Sequence, residues 1–240
     1  MFNFLGSGSG FNTALGNNNA YIKKGTTLFM IDCGSTAFST LKKYQLFDGI
    51  EHIYVLLTHL HADHVGSLGD LIFYGKYALG EMGVPNVTVL CPKEIKVADL
   101  LTLMGIPQSD YALEIFDQSS EIQTSDLQLS FTAVPVEHVP YLDCFGYIFN
   151  YQNQTAYYSG DSMMIPEKIL TQIHQQAFDF FYQDTSQADY PGNIHLSLGK
   201  LTELIAPEYR SRVYCMHLDE GFNKESAKKL GFQVIHSIQN

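Results

Sequence analysis

Short apolar runs rich in β-branched and aromatic residues recur along the chain. They predict strands over residues 2–5, 27–31, 53–57, 87–90, 127–136, 145–151, 155–158, 178–182 and 213–216. Helix-like stretches alternate with them, over residues 35–44, 65–79, 95–104, 166–176, 197–205 and 224–230. Pro166 suits a first helical turn, and Gly105 and Gly231 suit helix ends. No internal repeat, low-complexity tract or linker interrupts the pattern. Residues 1–240 are therefore expected to form one α/β (α+β) domain, a sheet-on-sheet core with helices outside.

Composition narrows the class. Of 240 residues, 45% are apolar and 16% charged, which describes a globular chain with enough apolar surface for a sizeable core. No apolar run approaches the roughly 18 residues a membrane span needs, and residues 1–10 lack the basic start of a secretory signal. Cys33, Cys91, Cys144 and Cys215 are scattered and never paired as C-x-x-C, which fits a reducing compartment. A cytoplasmic protein without membrane contact is the expectation. The formal charge of -11, from 25 acidic against 14 basic residues, disfavours a large nucleic-acid footprint, whose phosphates call for a basic face. A small phosphorylated partner remains compatible with it.

The chemistry concentrates in Thr58-His59-Leu60-His61-Ala62-Asp63-His64. This segment follows the apolar run 53–57, where a buried strand ends and the chain turns toward a helix. Alternating His59 and His61 can point the same way on an extended segment. Asp63 and His64 fall on the turn, displaced far enough to serve a second ion. His138, Asp161 and His217 each follow a later predicted strand. Side chains at several strand ends can converge on one edge of a sandwich. Five imidazoles and two carboxylates suit Zn²⁺, with Mn²⁺ or Fe²⁺ as alternatives. His52, His174 and His236 have no such context and read as ordinary packing or surface residues.

The H-x-H-x-D-H motif, with His, Asp and His following at later strand ends, resembles the metallo-β-lactamase fold. The match runs in order from Gly6 to about Gly231. The resemblance implies a four-layer αβ/βα sandwich with a di-zinc site at one edge. It assigns His59, His61 and His138 to one ion, Asp63, His64 and His217 to the other, and Asp161 to both. Two such ions roughly 3.5–4 Å apart supply a bridging hydroxide near neutral pH. Protonating the leaving oxygen is the remaining task. Within the fold, the ribonuclease Z-like branch places a carboxylate and a histidine at positions that correspond to Asp184 and His195. Asp184 would fix the tautomer of His195, whose other nitrogen would donate the proton. Asp63, Asp184 and His195 are thus the expected catalytic residues. That branch usually has Glu where Asp184 stands, and Ser-Thr where Leu196-Ser197 follows His195.

Only 23 positions separate His138 from Asp161, too few for the transfer-RNA arm of ribonuclease Z. The anti-Pycsar phosphodiesterases share the site without the arm and open cyclic mononucleotides. The short Gly6-Ser7-Gly8-Ser9-Gly10 start and the Asn17-Asn18-Asn19-Ala20-Tyr21 run favour that group. The glycines are expected to allow close backbone approach to the site, since no Gly-Lys-Ser/Thr ending makes them a P-loop. A small phosphodiester substrate and a homodimer follow from the resemblance. The alternatives are a ribonuclease Z-like RNA endonuclease, a lactonase or thioesterase of the same fold, and a non-catalytic metal-binding scaffold.

Overall fold

The computed structural model describes residues 1–239, and its two sheets each pair an antiparallel half with a parallel half. The first sheet holds β1 (Asn3–Phe4), β2 (Ala20–Lys24), β3 (Thr27–Ile31), β4 (His52–Leu56), β5 (Val87–Pro92) and β6 (Ala112–Phe116) in chain order. Strands β1 to β3 run antiparallel, and β3 to β6 are parallel. Their crossovers carry α1 (Ala37–Lys43), α2 (Ala62–Val65), α3 (Leu68–Tyr77) and α4 (Val97–Leu103). Parallel pairing buries both faces of a strand, and β3 and β5 are accordingly buried throughout.

The second sheet holds β7 (Ser119–Gln123), β8 (Gln128–Val136), β9 (Cys144–Tyr151), β10 (Gln154–Tyr158), β11 (Phe180–Asp184), β12 (Val213–Met216) and β13 (Gln233–Val234). β7 to β10 form an antiparallel meander, and β10 to β13 are parallel. Here the crossovers carry α5 (Glu167–His174), α6 (Leu198–Leu204) and α7 (Lys224–Lys229).

The alternation of side chains along a strand divides the core. Tyr158, Tyr182 and Met216 face the first sheet and join the cluster that fills the space between sheets. Their chain neighbours Tyr157, Phe181 and Cys215 face the other way and pack with Ile169, Leu201 and Ala227 of α5–α7. Aromatic rings join the sheets: Phe149 of β9 lies 6.1 Å from Phe29 of β3 and 5.0 Å from Phe2. Helices outside, two sheets inside: the four-layer αβ/βα sandwich expected from the sequence is the architecture found.

Several boundaries differ from the sequence pattern. The helix expected over 65–79 is α3, which begins only at Leu68 because Gly66-Ser67 separates it from α2. The Ser67 side chain accepts from the Phe38 N–H and donates to the Gly34 carbonyl, so a tertiary contact interrupts the periodicity. The strand expected over 178–182 is β11, which makes Asp184 its last residue. Strands β2, β6, β7 and β13 carry too little apolar alternation to have been expected. No helix among the described residues is long and apolar enough to cross a membrane.

Candidate metal centre

All seven of the ligand-type residues singled out in the sequence lie at one edge of the sandwich, beyond the ends of β4, β8, β10 and β12. Leu57 to His61 form the loop after β4. His61 is the N-cap of α2, and Asp63 and His64 sit in its single turn. His138 follows β8, Asp161 follows β10 and His217 follows β12.

Two groups of donors form, each with its atoms within 4.8 Å of one another. In the first, His61 Nδ1 lies 3.0 Å from His59 Nε2 and 3.2 Å from His138 Nε2. In the second, His64 Nε2 lies 3.4 Å from Asp63 Oδ2 and 3.2 Å from Asp161 Oδ1. His217 Nε2 lies 3.2 Å from Asp63 Oδ2 and 3.3 Å from Asp161 Oδ2. Asp161 also reaches the first group, with Oδ2 3.9 Å from His59 Nε2 and 3.8 Å from His138 Nε2. It stands between the two.

The outward nitrogens determine which ring atoms face in. His138 Nδ1 donates to the Ile194 carbonyl at 3.0 Å, and His64 Nδ1 donates to Asp32 Oδ2 at 2.7 Å. Thr58 Oγ1 spends its own proton on Asp32 Oδ2 and so accepts from His59 Nδ1 at 3.1 Å. Each Nε2 is left with a lone pair directed inward, the arrangement a metal ion requires. His64 Nε2 and Asp161 Oδ1 are buried and face each other without a hydrogen bond. Buried polar atoms without partners are costly, and a divalent cation would satisfy both. The residues fit such an ion.

Electrostatics separates the groups. Burial and neighbouring imidazoles hold His59 well below its ordinary value, and burial also lowers His61 and His138, so the first group is neutral. Burial opposes charge on His217 too, but Asp161 and Asp184 outweigh it and push the ring up to about 10. His64 is likewise raised by Asp161, Asp63 and Asp32 against its burial. The second group therefore sits in a field that demands positive charge.

Asp184 and His195 also meet here. Buried Asp184 accepts from the Ser162 N–H at 2.9 Å and from His195 Nδ1 at 2.7 Å, both through Oδ2. Its Oδ1 lies 3.3 Å from His217 Nδ1, an ion-pair distance without hydrogen-bond alignment. Burial lowers His195 and the Asp184 carboxylate raises it, with a net rise.

Sequence reasoning missed Asp32. It directly follows β3, has a left-handed backbone (φ 65°) and accepts from the Thr58 N–H, Thr58 Oγ1 and His64 Nδ1. The position after an apolar run marks Asp32 only as an acidic residue at a strand end, not as a partner of His64. Asn17 and Asn19, which the sequence shows only as part of a run, hold the loop beneath Asp63: Asn17 Oδ1 accepts from the Thr36 N–H and Asn19 Oδ1 from the Gly34 N–H. The glycine-rich start does approach the site closely: a Cβ on Gly10 would lie 3.1 Å from Asp63 Oδ2. The site opens into a cleft of about 620 Å³ lined by His61, Asp63, His138, Asp161, His195 and His217, by Phe11, Tyr190 and Ile194, and otherwise by mostly small polar residues. No lysine or arginine lines it among the described residues.

Solved structures share the architecture. A diphosphatase of the PhnP family superposes with a TM-score of 0.74 at 18% identity, covering 98% of this chain and 94% of that one. The metallo-β-lactamase fold protein YhfI from Bacillus subtilis gives 0.73 at 18% identity, covering 98% and 95%. The chain thus has the metallo-β-lactamase fold. The anti-Pycsar protein Apyc1 of Saccharibacillus brassicae is 29% identical over 226 residues, which span 92% of this chain and 90% of the relative. The family profile of the anti-Pycsar protein Apyc1 matches residues 1–239, and the chain belongs to that family.

Proposed function

We propose that this protein is a metal-dependent phosphodiesterase that opens a small cyclic phosphodiester, a cyclic mononucleotide, at the two donor groups. His59, His61 and His138 would hold one zinc ion, Asp63, His64 and His217 a second, and Asp161 would serve both. When bound, the ions act as Lewis acids on the phosphodiester and lower the pKa of water.

The observation that carries the reading is the pairing of His195 with Asp184 beside these groups in a cleft without lysine or arginine. Asp184 occupies His195 Nδ1, so Nε2 is the free nitrogen of a ring that lines the cleft. Water adds at phosphorus and releases one proton to solvent, one P–O bond to the ribose breaks, and His195 supplies the proton to the departing oxygen and regains one from solvent. Asp184 stabilises the imidazolium before transfer and fixes the tautomer after it. A thioester expels a thiolate, which leaves without a proton and needs no such pair. The lack of lysine and arginine in the cleft suits a substrate with a single negative charge better than a polyanionic RNA. Family membership supports the same substrate class.

Zinc-reconstituted protein is expected to hydrolyse cyclic CMP or cyclic UMP and bis-p-nitrophenyl phosphate. His195→Ala is expected to retain its metal and lose about 10²- to 10⁴-fold in turnover. Lactone hydrolysis with no phosphodiesterase activity, or efficient processing of precursor transfer RNA, would replace this reading. An unchanged rate in His195→Ala would remove the pair from the mechanism.

A further inference from the structure

We propose that Phe11 and Tyr190 form the seat for the heterocyclic base, so that stacking on these two rings governs the affinity of the site. The proposal rests on the phosphodiesterase reading above. Both side chains line the cleft, yet Phe11 is 91% exposed and Tyr190 54% exposed. Isolated exposed apolar residues are common on protein surfaces. These two differ in sharing one cleft whose other walls are mostly small and polar, and in standing on backbone that is firmly tied down.

Phe11 lies in a loop hydrogen bonded to the chain just beyond β12. The Ser9 N–H and the Asn12 side-chain amide both donate to the Leu218 carbonyl at 3.0 Å, and the Asn12 N–H closes the turn onto the Ser9 carbonyl at 3.0 Å. Leu218 follows His217, and Gly10, beside Phe11, packs on the Asp63 carboxylate. The ring is thereby placed relative to the second donor group.

Tyr190 opens the turn Tyr190-Pro191-Gly192-Asn193. Pro at the second position, Gly192 with φ 85° at the third and the Asn193 N–H on the Tyr190 carbonyl at 3.1 Å give a type II turn, whose third position requires a left-handed residue. The Asn193 amide donates to Ser186 Oγ at 3.0 Å and to the Ala188 carbonyl at 2.8 Å, while its oxygen accepts from the His195 N–H at 3.1 Å. The Asp219 carboxylate accepts from the Gln187 and Ala188 N–H groups at 2.9 and 3.0 Å. Tyr190 is thus placed relative to the proton donor. Neither ring contributes to the core, and both offer an apolar face where a planar base attached to the reacting phosphate would lie. With no lysine or arginine in the cleft, and the metal groups directed at the phosphate, stacking supplies binding energy to the base end of the ligand.

The test compares wild type, Phe11→Ala, Tyr190→Ala, the double variant and Tyr190→Phe, all zinc-loaded. The substrates are cyclic CMP and the base-free 3′,5′-cyclic phosphate of methyl riboside. Binding of a hydrolysis-resistant cyclic phosphorothioate of cytidine is measured by calorimetry. Each alanine variant is expected to raise KM and Kd for the base-bearing ligands roughly 5- to 150-fold, the range for losing one base–aromatic stack, with kcat nearly unchanged. Tyr190→Phe, which keeps the ring, is expected to retain the wild-type values, and base-free turnover should be the same in every variant. Wild-type turnover of cyclic CMP with unmoved KM and Kd in the double variant would overturn the base seat alone. Failure of wild type to cleave either ester would overturn the phosphodiesterase reading, and the base seat with it.

Discussion

Replacing Asp32 with Asn tests whether the buried hydrogen bonds behind the donor groups hold the metal-binding tautomer of His64. The substitution preserves shape, and Asn tolerates the left-handed backbone at this position (φ 65°), so strain is not introduced. What changes is one acceptor. Asp32 Oδ1 takes the Thr58 N–H at 2.8 Å, and Oδ2 takes Thr58 Oγ1 and His64 Nδ1, each at 2.7 Å. An amide nitrogen at the first site would face a backbone donor that cannot turn away. At the second site it faces a hydroxyl that can rotate and an imidazole that can accept only by moving its proton to Nε2. The second arrangement therefore wins. It puts an N–H where His64 presents a lone pair toward Asp63 and Asp161, 3.4 and 3.2 Å away.

Loss of such an outer partner typically costs about 10- to 100-fold in metal affinity, equivalent to about 1.4 to 2.8 kcal/mol. In the metal-free protein the exchange removes one charge-assisted hydrogen bond, a destabilisation of about 1.5 to 3 kcal/mol. Competition with a chromophoric chelator reads the affinity, and elemental analysis after dialysis reads the stoichiometry. The expected result is one tightly held equivalent of zinc fewer than in wild type. Urea unfolding of the metal-free forms reads the second quantity. An Asn variant with wild-type stoichiometry and affinity would refute the claim that Asp32 sets the His64 tautomer.

Chelation of wild-type protein should lower the calorimetric Tm, because a ligand at 100 times its Kd adds about 2.7 kcal/mol of stability; an unchanged Tm would mean that no ion stabilises the fold. Phe149→Ala removes a fully buried ring that touches Phe2, Phe29, Phe131 and Tyr147. A loss of about 3 to 5 kcal/mol is expected in urea unfolding, and less than about 1 kcal/mol would show that the sheets do not share this core. Burial pushes the Cys91 thiol up to about 12. Because the folded value lies above the unfolded one, its contribution is complete below about pH 8.5 and is lost as pH rises toward 12. The midpoint for unfolding should accordingly fall at alkaline pH, and native protein should not react with Ellman's reagent, since all four thiols are buried; prompt reaction of any thiol would contradict this.

The sequence exposed features held by contiguous residues. The runs that became β3, β4 and β5 are apolar at nearly every position because parallel strands bury both faces. His59, His61, Asp63 and His64 declare themselves because four ligand-type side chains crowd one turn. His138, Asp161 and His217 could be grouped with them only because each follows a readable strand. The edge strands were invisible for the opposite reason: β7 is Ser-Ser-Glu-Ile-Gln with one fully buried side chain, and β6 faces solvent at most positions. Asp32 was missed because its partners lie 26 and 32 residues away, and nothing local marks a carboxylate as the acceptor for a distant imidazole.

Asp184 shows how a correct local reading can still be incomplete. Pairing Asp184 with His195 accounts for one of its oxygens, since Oδ2 takes both His195 Nδ1 and the Ser162 N–H. The other oxygen stands 3.3 Å from the outward nitrogen of His217, a contact that depends on β11 and β12 being parallel neighbours in register, with Asp184 opposite Met216. One carboxylate therefore faces both the ring that would donate the proton and a ring that would bind metal. Removing its charge by Asp184→Asn withdraws support from both rings, whereas His195→Ala removes one ring and leaves His217 its partner. The two variants should consequently separate: both lose turnover, but only Asp184→Asn should also weaken zinc binding. Equal zinc affinity in both would show that His217 keeps its orientation from backbone geometry alone, including its own left-handed conformation (φ 55°).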